Sequence, residues 1–171
     1  MNFFLCQNLQ SKIKYLDNQL WANQLASFLD QIVDIEKNTL NIDLKDLKSK
    51  ITKKTKGILI VHVLGNSTNM NELMKIKNKH NLYLIEDTCE SLGTKFRNKY
   101  LGSFGEFSSF SFYSSHQISS GEGGMILFKD KETYLRAKKL RDHGMSFEKR
   151  YWHDVVGFNY RITNFAGKRK T

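Results

Sequence analysis

The chain has 171 residues, and 27 Lys or Arg against 17 Asp or Glu give it a formal net charge of +10. Hydrophobic residues make up 40% of the sequence, which is enough for one packed core and excludes a wholly disordered chain. The longest apolar run, residues 58–64, is too short to span a bilayer, and no secretory leader pattern begins at Met1. Because Cys6 and Cys89 cannot build a disulfide framework, we expect a reducing, cytoplasmic compartment.

The positive charge is spread along the chain instead of being gathered in one basic arm. Lysine-rich stretches recur, but none contains the five or six consecutive like charges that mark such an arm. The sequence also lacks zinc-finger spacing and the pattern of an RNA-binding strand. We therefore expect solvated basic helix faces and no specific nucleic-acid partner.

Local patterns predict three elements in the first part of the chain. Leucine spacing predicts an amphipathic helix over residues 16–29, and alternation predicts a short strand over residues 31–35. Asp43 is placed to cap the beginning of a short helix that follows it.

The middle of the chain predicts a βαβ unit. Residues 56–64 are almost wholly apolar and rich in β-branched side chains, which is typical of a strand buried on both faces of a parallel sheet. A helix follows over residues 71–80 with its apolar side chains inward, and a second buried strand covers residues 82–85. The inward side chains of this helix are Leu73, Met74 and Ile76. Two such strands joined by a helix form a right-handed crossover.

Two further strands and a helix are predicted downstream. Residues 107–113 alternate Ser with Phe, residues 125–128 are apolar, and residues 114–124 between them form a polar, Gly-rich loop. Residues 132–142 predict a helix with Leu135 and Leu140 inward, ending near Gly144. The expected fold class is α/β, with a mostly parallel sheet and flanking helices.

Several residues near the predicted strand ends could carry chemistry. Asp87 follows a buried strand, and ligands of open α/β sheets bind beyond the carboxyl ends of the strands. Ser111 and His116 lie at the end of the Ser/Phe strand and in the loop after it, so we expect them to converge with Asp87 at one rim. Each residue alone also has a structural explanation: a helix cap or ion pair for Asp87, and a satisfied structural imidazole for His116. No metal-ligand spacing, nucleophile elbow or P-loop is present.

Five motifs, in their order and spacing, resemble the DegT/DnrJ/StrS family of sugar aminotransferases. The resemblance extends over residues 31–166, and these enzymes belong to the fold-type-I, aspartate aminotransferase-like superfamily that uses pyridoxal phosphate (PLP). The motifs are IEDTCESLG (residues 85–93), GSFGE (102–106), FSFYSSHQISSGEGGM (110–125), RDHG (141–144) and GFNYRITN (157–164).

The resemblance implies a role for four residues. Asp87 matches the carboxylate that pairs with the pyridine nitrogen of PLP and keeps it protonated. Glu90 stands where many members have Gln, near the hydroxyl side of the ring. Ser111 matches a serine that binds the cofactor phosphate. Asn159 matches an Asn that reaches the phosphate of the neighbouring subunit, which implies a homodimer.

His116 departs from the family pattern, because the aminotransferases carry there the Lys that bonds covalently to PLP. One branch, the nucleotide-sugar 3-deoxygenases or 3-dehydratases, has His at this position. Its members hold pyridoxamine phosphate (PMP), act on a nucleotide-linked 4-keto-6-deoxy sugar, and use the His as the base. Residues 64–66 and 88–90 also look like that branch, whereas residues 141–146 and 151–153 look like perosamine-type 4-aminotransferases. An iron–sulfur cluster, which one branch uses, needs more cysteines than the two present.

The resemblance implies three segments. These are a poorly matched segment over residues 1–30, a partial PLP-binding large domain over residues 31–166, and a basic tail over residues 167–171. The family's Gly-Thr phosphate loop and small domain have no counterpart, so we expect little activity from this chain alone. Two alternatives to the deoxygenase remain: a 4-aminotransferase relative without its Lys, and a non-catalytic truncated remnant.

Overall fold

The computed structural model describes the backbone of residues 2–6 and all of residues 31–163. The helix predicted over residues 16–29 and the tail over residues 167–171 lie outside these residues. The described strands are β1 (Asn2–Cys6), β2 (Gln31–Val33), β3 (Thr55–Val61), β4 (Tyr83–Asp87), β5 (Lys95–Phe96), β6 (Lys99–Tyr100), β7 (Phe107–Ser111) and β8 (Gly124–Phe128). The described α-helices are α1 (Leu44–Lys50), α2 (Met70–Lys79) and α3 (Lys131–Arg141).

Six of these strands form one sheet in the order β2-β1-β3-β4-β7-β8. Every neighbouring pair is parallel except β7 and β8, which are antiparallel. The α/β class with a mostly parallel sheet is therefore confirmed. β5 and β6 form a separate two-stranded hairpin that the sequence did not predict.

The predicted βαβ unit is present as β3, α2 and β4. The two strands pair in parallel, with Val61 opposite Asp87 at their carboxyl ends. The Asn69 side chain caps α2 by accepting a hydrogen bond from the backbone N–H of Glu72 at 3.3 Å. Leu73 is fully buried against the sheet, because apolar residues three and four apart share one face of a helix. Asp43 caps α1 in the same way, as predicted.

β3 ends earlier than its apolar run suggests. The strand stops at Val61, and residues 63–65 form a short 3₁₀ turn in which Leu64 has a φ of 51° and is exposed. The buried side chain of Asn41 holds this turn: its Oδ1 accepts from the N–H of Val63 at 3.1 Å, and its Nδ2 donates to the carbonyl of Asn66 at 3.2 Å. Hydrophobicity alone cannot show that a distant Asn redirects the chain.

The predicted burial of Leu135 and Leu140 on the last helix is wrong. α3 begins after the capping residue Asp130, close to the predicted position, but Leu135 is 37% exposed and Leu140 is 39% exposed. The helix packs beside β8, which is the last strand of the sheet, so only a narrow sheet surface lies beneath it. No helix in residues 31–163 is both long and apolar enough to span a membrane.

Apolar side chains are exposed on both faces of β8. Met125 is 40% exposed, Ile126 54% and Leu127 44%. Because successive residues of a strand point to opposite faces, neither face of β8 is well covered by the described residues. Exposed apolar side chains on an edge strand are typical of a surface that associates.

We expect Ile126→Lys to weaken self-association and the binding of an apolar dye, because the charge interrupts the patch on the edge strand. Sedimentation at several protein concentrations and dye fluorescence measure the two effects. Tyr83→Lys is the control, since it adds the same charge at an exposed residue outside β8. Equal association of the two variants and the unchanged chain would show that this patch does not mediate contacts.

Candidate active site

Three strands end at one edge of the sheet and place polar residues there. β3, β4 and β7 are parallel neighbours, and Asp87 at the end of β4 lies opposite Val61 on one side and Ser109 on the other. Ser111 is the last residue of β7. The carboxyl edge of a parallel sheet is where ligands of open α/β folds bind.

The Asp87 carboxylate is held in one orientation. Its Oδ1 accepts from the backbone N–H of Cys89 at 3.0 Å and from the Ser109 hydroxyl at 3.2 Å. The backbone carbonyl of Asp87 accepts from the N–H of His62 at 3.1 Å. Oδ2 has no hydrogen-bond partner among the described residues, so this half-buried carboxylate can accept one more donor, such as a protonated ring nitrogen.

Ser111 ends β7, the strand beside Asp87, and His116 lies in the loop that follows Ser111. The Ser111 hydroxyl oxygen accepts from the N–H of Tyr113 at 3.2 Å, which leaves its proton available to an anion. The N–H of His116 donates to the Tyr113 carbonyl at 3.0 Å, and the two rings make an edge contact with centroids 6.0 Å apart. The Nδ1 atom of His116 is buried and has no hydrogen-bond partner among residues 31–163.

Glu90 connects two loops at this edge. Its Oε2 accepts from the N–H of Leu64 at 3.0 Å, in the turn after β3. Its backbone carbonyl accepts from the Gln117 side chain at 2.5 Å, in the loop that carries His116. Glu90, three residues after Asp87, therefore connects the turn after β3 to the loop over residues 114–124.

Asn159 lies apart from this group. It is exposed, it pairs with Asp142 in an isolated antiparallel bridge, and its Oδ1 accepts from Arg161 Nε at 3.0 Å. Among the described contacts, none joins Asn159 to Asp87 or His116. The sequence placed Asn159 at a neighbouring subunit's cofactor, and that assignment stays a prediction.

A buried hydrogen bond between His62 and Glu86 was not assigned from the sequence. Glu86 and His62 are both fully buried, and Glu86 Oε2 accepts from His62 Nε2 at 3.2 Å. The same carboxylate accepts three backbone N–H groups, from Gly102 at 2.8 Å and from Phe104 and Gly105 at 2.7 Å each. The available signals were a His directly after one buried strand and a Glu within the next.

The hydrogen bonds determine the charge state of Glu86. Burial raises the pKa of its carboxyl, but the hydrogen bond from His62 and those from the N–H groups of Gly105 and Gly102 outweigh burial, and the net pKa is lowered. Consecutive residues of a strand point to opposite faces of the sheet. The Glu86 side chain therefore lies in the buried interior, and the Asp87 side chain lies on the other face at the carboxyl end of β4. Within residues 31–163, no group of three or more His, Cys, Asp or Glu side chains forms a possible metal site.

Together, a parallel sheet, a fixed carboxylate at the end of a strand, and a serine and a histidine on the segments beside it define an α/β domain of the fold-type-I class. The chain belongs to the DegT/DnrJ/EryC1/StrS aminotransferase family, which it matches over residues 27–167.

Two curated relatives represent the two branches within this family. The chain is 46% identical over 154 residues to the GDP-4-keto-6-deoxy-D-mannose 3-dehydratase of Escherichia coli O55:H7, which covers 80% of this chain and 40% of that protein. It is 41% identical over 134 residues to the GDP-perosamine synthase of Escherichia coli O157:H7, which covers 78% of this chain and 37% of that protein. The chain thus spans only about two fifths of the length of these relatives.

Solved structures confirm the fold. The E. coli GDP-4-keto-6-deoxy-D-mannose 3-dehydratase, solved with bound hydrated PLP, superposes with a TM-score of 0.83 at 32% identity. The match covers 97% of this chain and 46% of that chain. The predicted family and the predicted fold-type-I large-domain architecture are therefore both confirmed.

Proposed function

We propose that residues 31–166 form the cofactor-binding part of a PMP-dependent enzyme that removes the 3-hydroxyl of a nucleotide-linked 4-keto-6-deoxy sugar. The observation that carries the proposal is His116, which stands in the loop after Ser111 and is linked through Gln117 to the segment after Asp87. The 46% identity to a 3-dehydratase supports the same branch. A cytoplasmic location, as expected from cysteine use, belongs to the proposal.

The side chains at the sheet edge fit a phosphorylated pyridine cofactor. Asp87 has one carboxylate oxygen fixed by two donors and a second oxygen that can accept from a protonated ring nitrogen. Ser111 can donate its hydroxyl to a phosphate oxygen, and Glu90 lies three residues after Asp87. The buried Nδ1 atom of His116 has no hydrogen-bond partner among the described residues, so a bound molecule could supply one.

His116 serves as the base in this proposal. Bound PMP supplies an amine that condenses with a sugar ketone and a conjugated ring that accepts electrons when the adjacent hydroxyl leaves. The neutral imidazole of His116 has one ring nitrogen that can accept a proton, which suits a general base. Unlike the Lys of the aminotransferases, it forms no lasting covalent bond with the cofactor aldehyde.

Asn159 is proposed to serve the cofactor phosphate of a second subunit. It is exposed and has no described contact with Asp87 of its own chain, which suits a residue that acts across an interface. A homodimer is therefore part of the proposal.

The second candidate is a sugar 4-aminotransferase relative that has lost its Lys. The observation that favours it is the 40–41% identity to GDP-perosamine synthases from three organisms. An intact enzyme of that kind transfers an amino group and leaves the 3-hydroxyl in place, and loss of the Lys makes this relative inactive in transamination. The two candidates therefore differ in whether a deoxygenated sugar forms.

We mix the chain with one equivalent of PMP and add GDP-4-keto-6-deoxy-D-mannose, and we expect a sugar product that is one oxygen atom lighter. In the balanced reaction the sugar loses the oxygen of its 3-hydroxyl, PMP becomes PLP, and ammonia is released. Turnover by this chain alone is expected to lie at least about a hundredfold below the usual ~1–10³ s⁻¹, so the assay follows a single turnover by mass spectrometry.

His116→Asn is the control, because it keeps a polar side chain and removes the base. It should bind PMP but yield no deoxygenated sugar. An amino sugar that retains its 3-hydroxyl would contradict the deoxygenase and show that the chain transfers an amino group without the Lys. A chain that binds PMP and forms neither product would contradict the deoxygenase and leave the inactive aminotransferase relative or the non-catalytic remnant.

A further inference from the structure

The loop over residues 114–124, here called the His116 loop, is attached to the fold at few points. Its ends are fixed by the pairing of Ser111 with Gly124 and by the N–H of Phe112, which donates to the Gly123 carbonyl at 2.9 Å. The N–H of Ser120 also donates to the carbonyl of Phe112, which precedes the loop, at 2.9 Å. These bonds hold the base of the loop and leave the segment with His116 to be fixed by other contacts.

Gln117 provides the contact that reaches from the His116 loop to another part of the fold. Its side-chain Nε2 donates to the backbone carbonyl of Glu90 at 2.5 Å, across 27 positions in sequence. The other side-chain hydrogen bonds of this loop, made by Ser119 and Ser120, stay inside the loop. Among the described residues, this one side-chain bond thus ties the loop to the segment after β4.

The acceptor of this bond is itself held in place. Glu90 lies in a turn closed by the N–H of Ser91, which donates to the Thr88 carbonyl at 3.0 Å. The Glu90 carboxylate also accepts from the N–H of Leu64 in the turn after β3. Thr88, in turn, is bound to the Ser109 carbonyl through both its N–H and its hydroxyl, at 3.0 and 2.6 Å. The Glu90 carbonyl is therefore held in a fixed position relative to β4 and β7.

We propose that Gln117 is a positioning residue that fixes His116 over the edge of the sheet by hydrogen bonding to the Glu90 carbonyl. The inference deepens the proposed function, since it rests on His116 acting there as the base. Gln117 is exposed, so its role does not come from packing in the core. Displacing a catalytic base by about 1 Å can slow a reaction about a hundredfold, so a hydrogen bond that fixes its loop affects the rate.

Three substitutions separate the donor from the size and charge of the side chain. Gln117→Ala removes the donor without adding charge, and Gln117→Glu replaces the donor by an acceptor at nearly the same shape. Gln117→Arg restores a donor, because the Arg Nε–H stands the same number of bonds from the backbone as Gln Nε2. Gln31→Glu, at the exposed first residue of β2, is the charge-matched control far from the site.

The first measurement is amide hydrogen exchange by NMR on the full chain. Loss of one hydrogen bond should speed exchange of the loop amides of His116 and Ser120 by about 2- to 12-fold in the Ala and Glu variants. Exchange in α2 should stay unchanged, and the Arg variant should return the loop to the wild-type rate. The His116 ring signals, which the edge contact with Tyr113 shifts, should move only in the Ala and Glu variants.

The second measurement is the single-turnover deoxygenation described above. The Ala and Glu variants should react more slowly at unchanged PMP affinity, because a displaced base affects the chemical step and not the binding of the cofactor. Unchanged loop exchange and ring signals in both variants, or changes that the Arg variant fails to reverse, would overturn the inference. If the NMR changes occur but the wild-type chain forms no deoxygenated sugar, the tether stands and the proposed function fails.

Discussion

Glu86→Gln should cost about 3 kcal/mol or more of unfolding free energy, because a buried donor left without its acceptor costs about 1–3 kcal/mol and more where the lost partner is charged. The substitution leaves His62 without its anionic partner and presents an amide N–H₂ to three backbone donors that need acceptors. Urea unfolding followed by circular dichroism measures the loss as a lower transition midpoint at a similar slope.

Glu72→Gln is the matched control, because it makes the same chemical change in a surface ion pair. The side chains of Lys48 and Glu72 are 49% and 42% exposed, and such pairs contribute at most about 1 kcal/mol. A similar loss for the two variants would show that the buried network does not carry the stability that its contacts indicate.

The pH dependence of the unfolding free energy gives an independent test of the buried hydrogen bonds that Glu86 makes to His62 and to the loop over residues 102–105. The folded-state pKa of Glu86 is lowered, so its ionised form stabilises the fold at pH values above the unfolded-state pKa of about 4.5. That contribution is lost as the pH falls through the lower folded-state pKa. The difference in stability between the wild-type chain and Glu86→Gln should therefore be constant near neutrality and narrow below about pH 4.5. A difference that does not narrow would mean that Glu86 is not ionised in the fold.

The βαβ unit could be predicted because its signals are local. A strand buried on both faces, a capped amphipathic helix and a second buried strand each follow from a short window of sequence. The position of Asp87 at the carboxyl edge then follows from the geometry of parallel strands. These steps require no knowledge of distant contacts.

Other features depend on residues far apart in sequence and could not be predicted. The turn after β3 is set by Asn41, and the exposure of Leu135 follows from the place of β8 at the sheet edge. The contact between Gln117 and Glu90 likewise joins residues 27 positions apart. A periodic pattern shows that a side chain is apolar, but not whether the fold provides a surface to cover it.

Two consecutive residues of β4 divide the structural and the proposed chemical roles. Glu86 points inward and holds the loop over residues 102–105, while Asp87 points to the site edge and is held by Cys89 and Ser109. Because the alternation of a strand separates the two side chains, the buried network stabilises the backbone under Asp87 without contacting a ligand at the edge. The sequence motif contains both carboxylates, yet only the structure separates their surroundings.

His116→Lys should convert removable PLP into a covalent adduct. The wild-type chain should release PLP on dialysis and show no adduct after borohydride, because imidazole forms no lasting bond with an aldehyde. A Lys amine at residue 116 would meet the aldehyde of a cofactor held by Asp87 and Ser111. Borohydride should then trap close to one PLP per chain, detected by mass spectrometry and mapped by proteolysis to residues 114–124.

Ser115→Lys is the control, because it places the same amine one residue earlier on an exposed side chain. Surface lysines react with free PLP only weakly and reversibly, so an adduct that depends on residue 116 reports a bound and oriented cofactor. Equal trapping at positions 115 and 116 would show that the loop is labelled without a formed site. Trapping at neither position, with the fold intact, would contradict the placement of the cofactor beside His116. Because the expected signal changes from none to near stoichiometric, this substitution gives the sharpest test of where the cofactor lies.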